Sequence, residues 1–182
     1  MAAYGALCLN AKSSAISNCT TEVASEDVKV VSQNSGKFGG IVGNLINSSV
    51  VNCTNNLPIE LSANSYVWVG GIVGSMEGSY VSRCINNAVI KGVYAGGIVG
   101  QILEATMPFS INIGDRFQNP FRDGQMLDAA LISNLNAGNV TAQEMAGGMV
   151  ASIGDGIVVV DKCMNIAEVF ATNLGCSFVS FG

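Results

Sequence analysis

Apolar residues in this chain come in short runs, rich in Val and Ile and closed at each end by Gly, Asn or Ser. That pattern predicts β-strands rather than helices. The run GGIVG fills residues 39–43 and returns at 70–74 and 96–100, with GGMVA at 147–151. Helical spacing is weak elsewhere, and only about Gln125–Leu135 do Met126, Leu127, Ala130 and Leu131 recur at intervals that predict a short helix.

A second pattern keeps phase with the first. Cys53 in VVNCTNN follows Gly39 by fourteen residues, and Cys84 in VSRCINN follows Gly70 by fourteen. Cys163 in VDKCMNI follows Gly147 by sixteen, and fourteen residues before Cys19 in ISNCTTE lies Gly5 of GALCL, a degenerate first copy. In LISNLNAGNV, at 131–140, Asn134 takes the cysteine place. An apolar residue stands three positions before that place each time: Ile16, Val50, Val81, Leu131 and Val160. Repeat starts at 5, 39, 70, 96, 147 and 175 define a unit of 26 to 34 residues, lengthened once by an insertion at roughly 104–128.

Two or three short strands cannot bury their own apolar face, so successive units must stack, each strand pairing with its equivalent in the next coil. The expected fold is all-β: one domain, residues 1–182, forming a parallel β-solenoid of about five coils. Equivalent residues then rise above one another at about 4.8 Å. Two roles fit the glycine pairs. They face opposite sides of an alternating strand, one permitting close approach and the other leaving a flat outer strip, or they form a corner with positive φ. A phosphate-cradling loop needs a G-x-x-x-x-G-K pattern that is missing.

The succession GGIVG, V-x-N-C-x-N and then Gly-x-Val resembles the GLUG repeat of large bacterial surface proteins, best over Gly39–Asn56, Gly70–Val89 and Asn134–Val150. The resemblance implies a surface, adhesion or scaffold role, an extracellular or cell-surface location, and no catalytic residues. Cys8 and Cys176 depart from the pentapeptide, and Asn134 from the recurrent Cys.

Composition narrows the field further. With 49% hydrophobic residues, 182 residues can bury one sizeable core. A net charge of -5 with only 8 Lys plus Arg disfavours nucleic acid and anionic membrane surfaces. No apolar run is long enough to span a bilayer; the best, Met145–Val160, is interrupted by Asp155. The opening MAAYGALCLN lacks the form of a signal peptide.

Cys19, Cys53 and Cys84 are expected as an interior ladder of free thiols, which behave as small apolar groups. Coil spacing also lies within disulfide reach. Zinc is disfavoured by the lack of C-x-x-C and of histidine, and no cofactor is expected. Asn55, Asn86, Asn136 and Asn165, each two positions after the cysteine place, are expected to stack at a corner. Sequons at Asn18, Asn47, Asn52 and Asn139 would carry sugar in a eukaryotic secretory setting.

The alternative to a structural protein is a carbohydrate-binding or polysaccharide-cleaving β-helix. Its only dense charge group, Asp115, Arg116, Arg122, Asp123 and Asp128, falls in the insertion, with Asp115, Asp123, Arg116 and Arg122 the candidate residues; a loop gives no assurance of the rigid frame that a carboxylate pair needs. Other protein subunits are the expected partners, in a homo-oligomer or filament, with surface glycans a further class. Three contact sets follow. Ile41, Ile72, Ile98 and Met149 should form a second apolar face against the insertion or another subunit, because the pentapeptide does not alternate with polar residues. Phe109, Phe117 and Phe121 with Arg116 and Arg122 have the composition of an interface. Phe178 and Val179 lie in an uncapped apolar end expected to join head to tail with another copy.

Overall fold

The computed structural model describes residues 2–25, 28–32, 34–62, 66–105 and 127–175. The protein is a parallel β-solenoid: every strand pairing is parallel, and each coil contributes to the same sheets in the same order. Among the described residues the first sheet holds nine strands, including Gly36–Gly39, Val67–Gly70, Ile90–Gly96 and Val140–Gly147. The second, third and fourth hold five each among those residues, one per coil. In the third coil these are Val73–Glu77, Ser79–Ser82 and Ile85–Asn86.

Two turns are written in left-handed residues. Ser13, Asn47 and Gly78 turn the chain from second sheet to third, and Asn18, Asn52, Arg83, Ser133 and Lys162 turn it from third to fourth, all with φ between 47° and 57°. Asn adopts this region more readily than most side chains, and Gly without steric cost. In the fourth coil the chain leaves the frame after Ile102 and rejoins at Ala129, so the insertion sits at the turn from second sheet to third. The described part of the expected helix is strand: Ala129–Ile132 pairs in full with Ser79–Ser82. Coil stacking satisfies its backbone, which outweighs a short run of helical spacing.

The glycine pairs mark the corner between first and second sheets. Neither has positive φ; both are needed for close approach. A Cβ on Gly70 would lie 1.9 Å from the Val73 carbonyl oxygen and 2.6 Å from the Gly100 nitrogen, and one on Gly71 2.4 Å from Cγ of Asn86. The first column therefore lets two sheets touch, while the second makes room for the asparagine column.

That corner corrects the expectation of a second, outward apolar face. Ile41 and Val42 both send their amides to the Ile72 carbonyl oxygen, at 3.0 Å each, so strand alternation is interrupted and both side chains turn inward. Ile41, Ile72, Ile98 and Met149 are 0–1% exposed and belong to the main core, with Val42, Leu45, Val50, Val73, Met76 and Val81. They cannot form a lateral strip. A second core follows from the curl of the first sheet, where Phe38, Val69 and Ala95 pack with Ile59, Ile90 and Val140.

The last repeat is also shifted. Gly175 pairs with Ala146 rather than Gly147. The strand Val140–Gly147 carries one extra residue relative to Ile90–Gly96, between Ala142 and Met145, and the next coil keeps that length.

Candidate functional site

Polar groups inside the solenoid form continuous columns. Asn55 donates through Nδ2 to Asn86 Oδ1 at 2.9 Å, Asn86 to Asn136 at 2.8 Å, and Asn136 to Asn165 at 2.7 Å. Each Nδ2 also donates to the carbonyl two residues on, of Leu57, Ala88, Gly138 and Ala167. Thr21 closes the column, its hydroxyl donating to Asn55 Oδ1 at 2.6 Å. Such a column fills the hydrogen-bonding capacity of buried amides, and it leaves little free for a ligand.

The cysteine column is interior, as expected. Cys53 and Cys84 are fully buried, Cys19 half-buried, and all three are free thiols. The Cys19 amide donates to Cys53 Sγ at 3.4 Å. Hydrogen bonding to Cys53 and burial push the Cys84 thiol above its ordinary value, and burial pushes Cys163 up. Asn134, which takes the column's fourth place, accepts from the Cys84 amide at 2.9 Å and donates to the Val81 carbonyl at 2.9 Å.

The sequons occupy varied settings. Asn18 and Asn52 are exposed but bonded to each other, Asn52 Nδ2 donating to Asn18 Oδ1 at 2.6 Å. Asn47 is half-buried beside Ser48 and Ser49, both 7% exposed, in an open groove of about 610 Å³ that Ser14 and Tyr80 also line. The hydroxyls of Ser14 and Ser48 are already bonded to the carbonyls of Lys12 and Ile46. Exposed Asn139 accepts from the Glu168 amide at 3.2 Å.

Of the acidic and basic candidates, Asp115, Arg116, Arg122 and Asp123 lie outside the described residues, as do Phe109, Phe117, Phe121, Phe178 and Val179. Asp128 is buried, its carboxylate accepting the amides of Ala105 at 2.8 Å and Ile157 at 2.5 Å. It is thus a brace at the root of the insertion. Among the described residues no three His, Cys, Asp or Glu side chains could hold a metal ion, and no helix is long and apolar enough to cross a membrane.

Sequence reasoning missed one surface. Beyond the glycine corner, the face of the first sheet carrying Ala3, Lys37, Trp68, Tyr94 and Met145 in successive coils stands over the second-sheet row Asn10, Asn44, Ser75, Gln101 and Ser152. A Cβ on Gly74 would reach the Phe38 nitrogen at 2.6 Å, which fixes the two walls face to face. Tyr66, Trp68 and Tyr94 stack at centroid separations of 6.0 and 5.3 Å. The stack leaves Tyr66 62% exposed. In the second coil Lys37 Nζ donates to Asn44 Oδ1 at 3.2 Å across the walls. Burial lowers the Lys37 pKa, opposed by the charge of Glu77.

The ends of the solenoid are the other candidate surface. Large exposed hydrophobics lie on or beside the outermost strands, Tyr66 and Val89 excepted; they include Leu7, Leu9 and Val31 at one end, and Ile153, Met164, Ile166 and Phe170 at the other.

Comparison with known proteins finds no matching family model, curated protein or solved structure.

Proposed function

We infer that the chain is a non-catalytic structural or interaction protein, a subunit of an extracellular filament or cell-surface adhesin that assembles with other protein subunits through its solenoid ends. One observation carries this reading: the interior columns emerge, partly exposed, at both ends. Along the column Ile16, Val50, Val81, Leu131 and Val160, the three middle residues are completely buried, while Ile16 and Val160 are only partly so. Among the described residues the outermost strands also leave one backbone edge unpaired, and such edges pair readily with another chain. Opposite ends differ in sequence, so their union is heterologous and propagates as a fibre. The resemblance to GLUG repeats supports the surface location.

Light scattering across a wide concentration range, with electron microscopy of the same samples, tests the proposal. The chain should form elongated particles growing with concentration. Leu9→Lys at one end and Ile166→Lys at the other, positions 56% and 65% exposed, should each stop growth without changing the unfolding midpoint of the middle coils. A stable monomer at every concentration would refute end-to-end assembly.

A further inference from the structure

The groove between the first and second sheets holds, in the second coil only, an amine and a carboxamide in contact. No other coil places a lysine in the Lys37 row or pairs one with an asparagine in the Asn44 row. Lys37 is half-buried with Nζ 3.2 Å from Asn44 Oδ1. Two further groups converge. Ser75, the register partner of Asn44 in the next coil, is fully buried, and its hydroxyl has no hydrogen-bond partner among the described residues. Glu77 follows two positions later on the same face, because Met76 between them points into the core, and its charge acts on Lys37.

We propose that Lys37 and Asn44 form an intramolecular isopeptide bond, with Ser75 and Glu77 assisting. Lys37 reacts as the neutral amine, the form that its partial burial favours. Nζ adds to Cγ of Asn44, forming the C–N bond and moving negative charge onto Oδ1, towards which the Ser75 hydroxyl, in register in the next coil, would turn to donate. The Glu77 carboxylate takes a proton from Nζ and returns it to Nδ2. Collapse breaks the Cγ–Nδ2 bond and releases ammonia. Amine plus primary carboxamide become secondary amide plus ammonia, with no oxidant, reductant or cofactor. The product ties the two groove walls covalently within one coil. A buried hydroxyl without a partner is costly if it serves nothing, and the developing oxyanion gives it a role.

Intact-mass measurement of the purified full chain tests the bond directly. The wild-type mass should fall short of the sequence mass by one ammonia, and proteolysis should yield a branched peptide joining the segments that contain Lys37 and Asn44. Lys37→Arg and Asn44→Ala should restore the full mass. Glu77→Ala should slow bond formation on the order of 100-fold, read as the cross-linked fraction over time in protein whose circular dichroism matches wild type. Lys29→Arg, which alters an exposed ion pair with Glu60, should leave the mass deficit unchanged. A wild-type mass equal to the sequence sum would overturn the proposal. So would an ammonia loss that persists in Lys37→Arg, since that deficit belongs to asparagine cyclisation on its own backbone.

Discussion

Replacing Asn86 by Ala, with Asn87→Ala as its neighbour control, isolates the energy of the interior amide column. Asn86 is fully buried and engages four hydrogen bonds: it donates to Ala88 O at 2.9 Å and Asn136 Oδ1 at 2.8 Å, and accepts from Asn55 Nδ2 at 2.9 Å and the Ala88 amide at 3.3 Å. At a net contribution of about 0.5–1.5 kcal/mol each, their loss costs about 2–6 kcal/mol, because the partners are left buried and unpaired. Asn87 is exposed and makes one side-chain bond, to Asn56 at 2.9 Å; its replacement should cost no more than about 0.5 kcal/mol. Urea unfolding followed by circular dichroism reads both. With a slope of about 2 kcal/mol per molar, Asn86→Ala should lower the midpoint by about 2 M and Asn87→Ala by about 0.25 M or less. Asn86→Asp supplies a second arm, since it keeps the shape but replaces two donors by an acceptor facing Ala88 O and Asn136 Oδ1. Burial among acceptors should raise the folded-state pKa of that carboxyl above its unfolded value of about 3.9. The variant should then regain stability relative to wild type as pH falls towards that value and lose it as pH rises. Equal midpoints for the two alanine variants would refute the column as a source of stability.

Gly71→Ala should cost at least about 1–3 kcal/mol in the same assay, because its Cβ would fall 2.2 Å from the Gly97 carbonyl oxygen and 2.4 Å from Asn86 Cγ; an unchanged midpoint would sink the close-approach account of the glycine pairs. Alkylation of the native protein, mapped by peptide, should modify Cys8 and Cys19 well before Cys53 and Cys84, which are completely buried. Equal labelling rates would contradict an interior thiol column.

Recurrence was the most informative feature of the sequence. Stacked coils must place like on like, so Asn55, Asn86, Asn136 and Asn165, spaced in phase, could be read as a column, and they are one. The facing of individual residues was less legible. Ile41 and Val42 share one acceptor across a corner, and no count of apolar and polar positions reveals where alternation is suspended. The shift at Gly175 was hidden for a related reason: an extra residue in the strand Val140–Gly147 alters the spacing without disturbing the motif. The Lys37, Asn44 and Ser75 cluster was invisible because it joins residues from two sheets and two coils. Lys37 is an ordinary surface residue until the glycine corner folds one wall over the other.

The exceptions within each column carry meaning that the rule does not. A column residue is constrained by the coils above and below it, so a departure survives only where the surroundings differ. Thr21 ends the amide column because its hydroxyl can both donate to Asn55 and accept from the Asn56 amide, and with no carboxamide it passes no further ladder bond outward. Asn134 and Asp128 belong to one coil, the coil that the insertion interrupts. There the third sheet resumes at Ala129 after a long excursion, without the short turn that aligns it elsewhere. Asp128 replaces that turn by gathering the amides of Ala105 before the insertion and Ile157 in the next coil. Six residues on, Asn134 bridges to the preceding coil through Cys84 and Val81. Buried polar side chains, elsewhere costly, are placed here to restore register where the repeat has been broken.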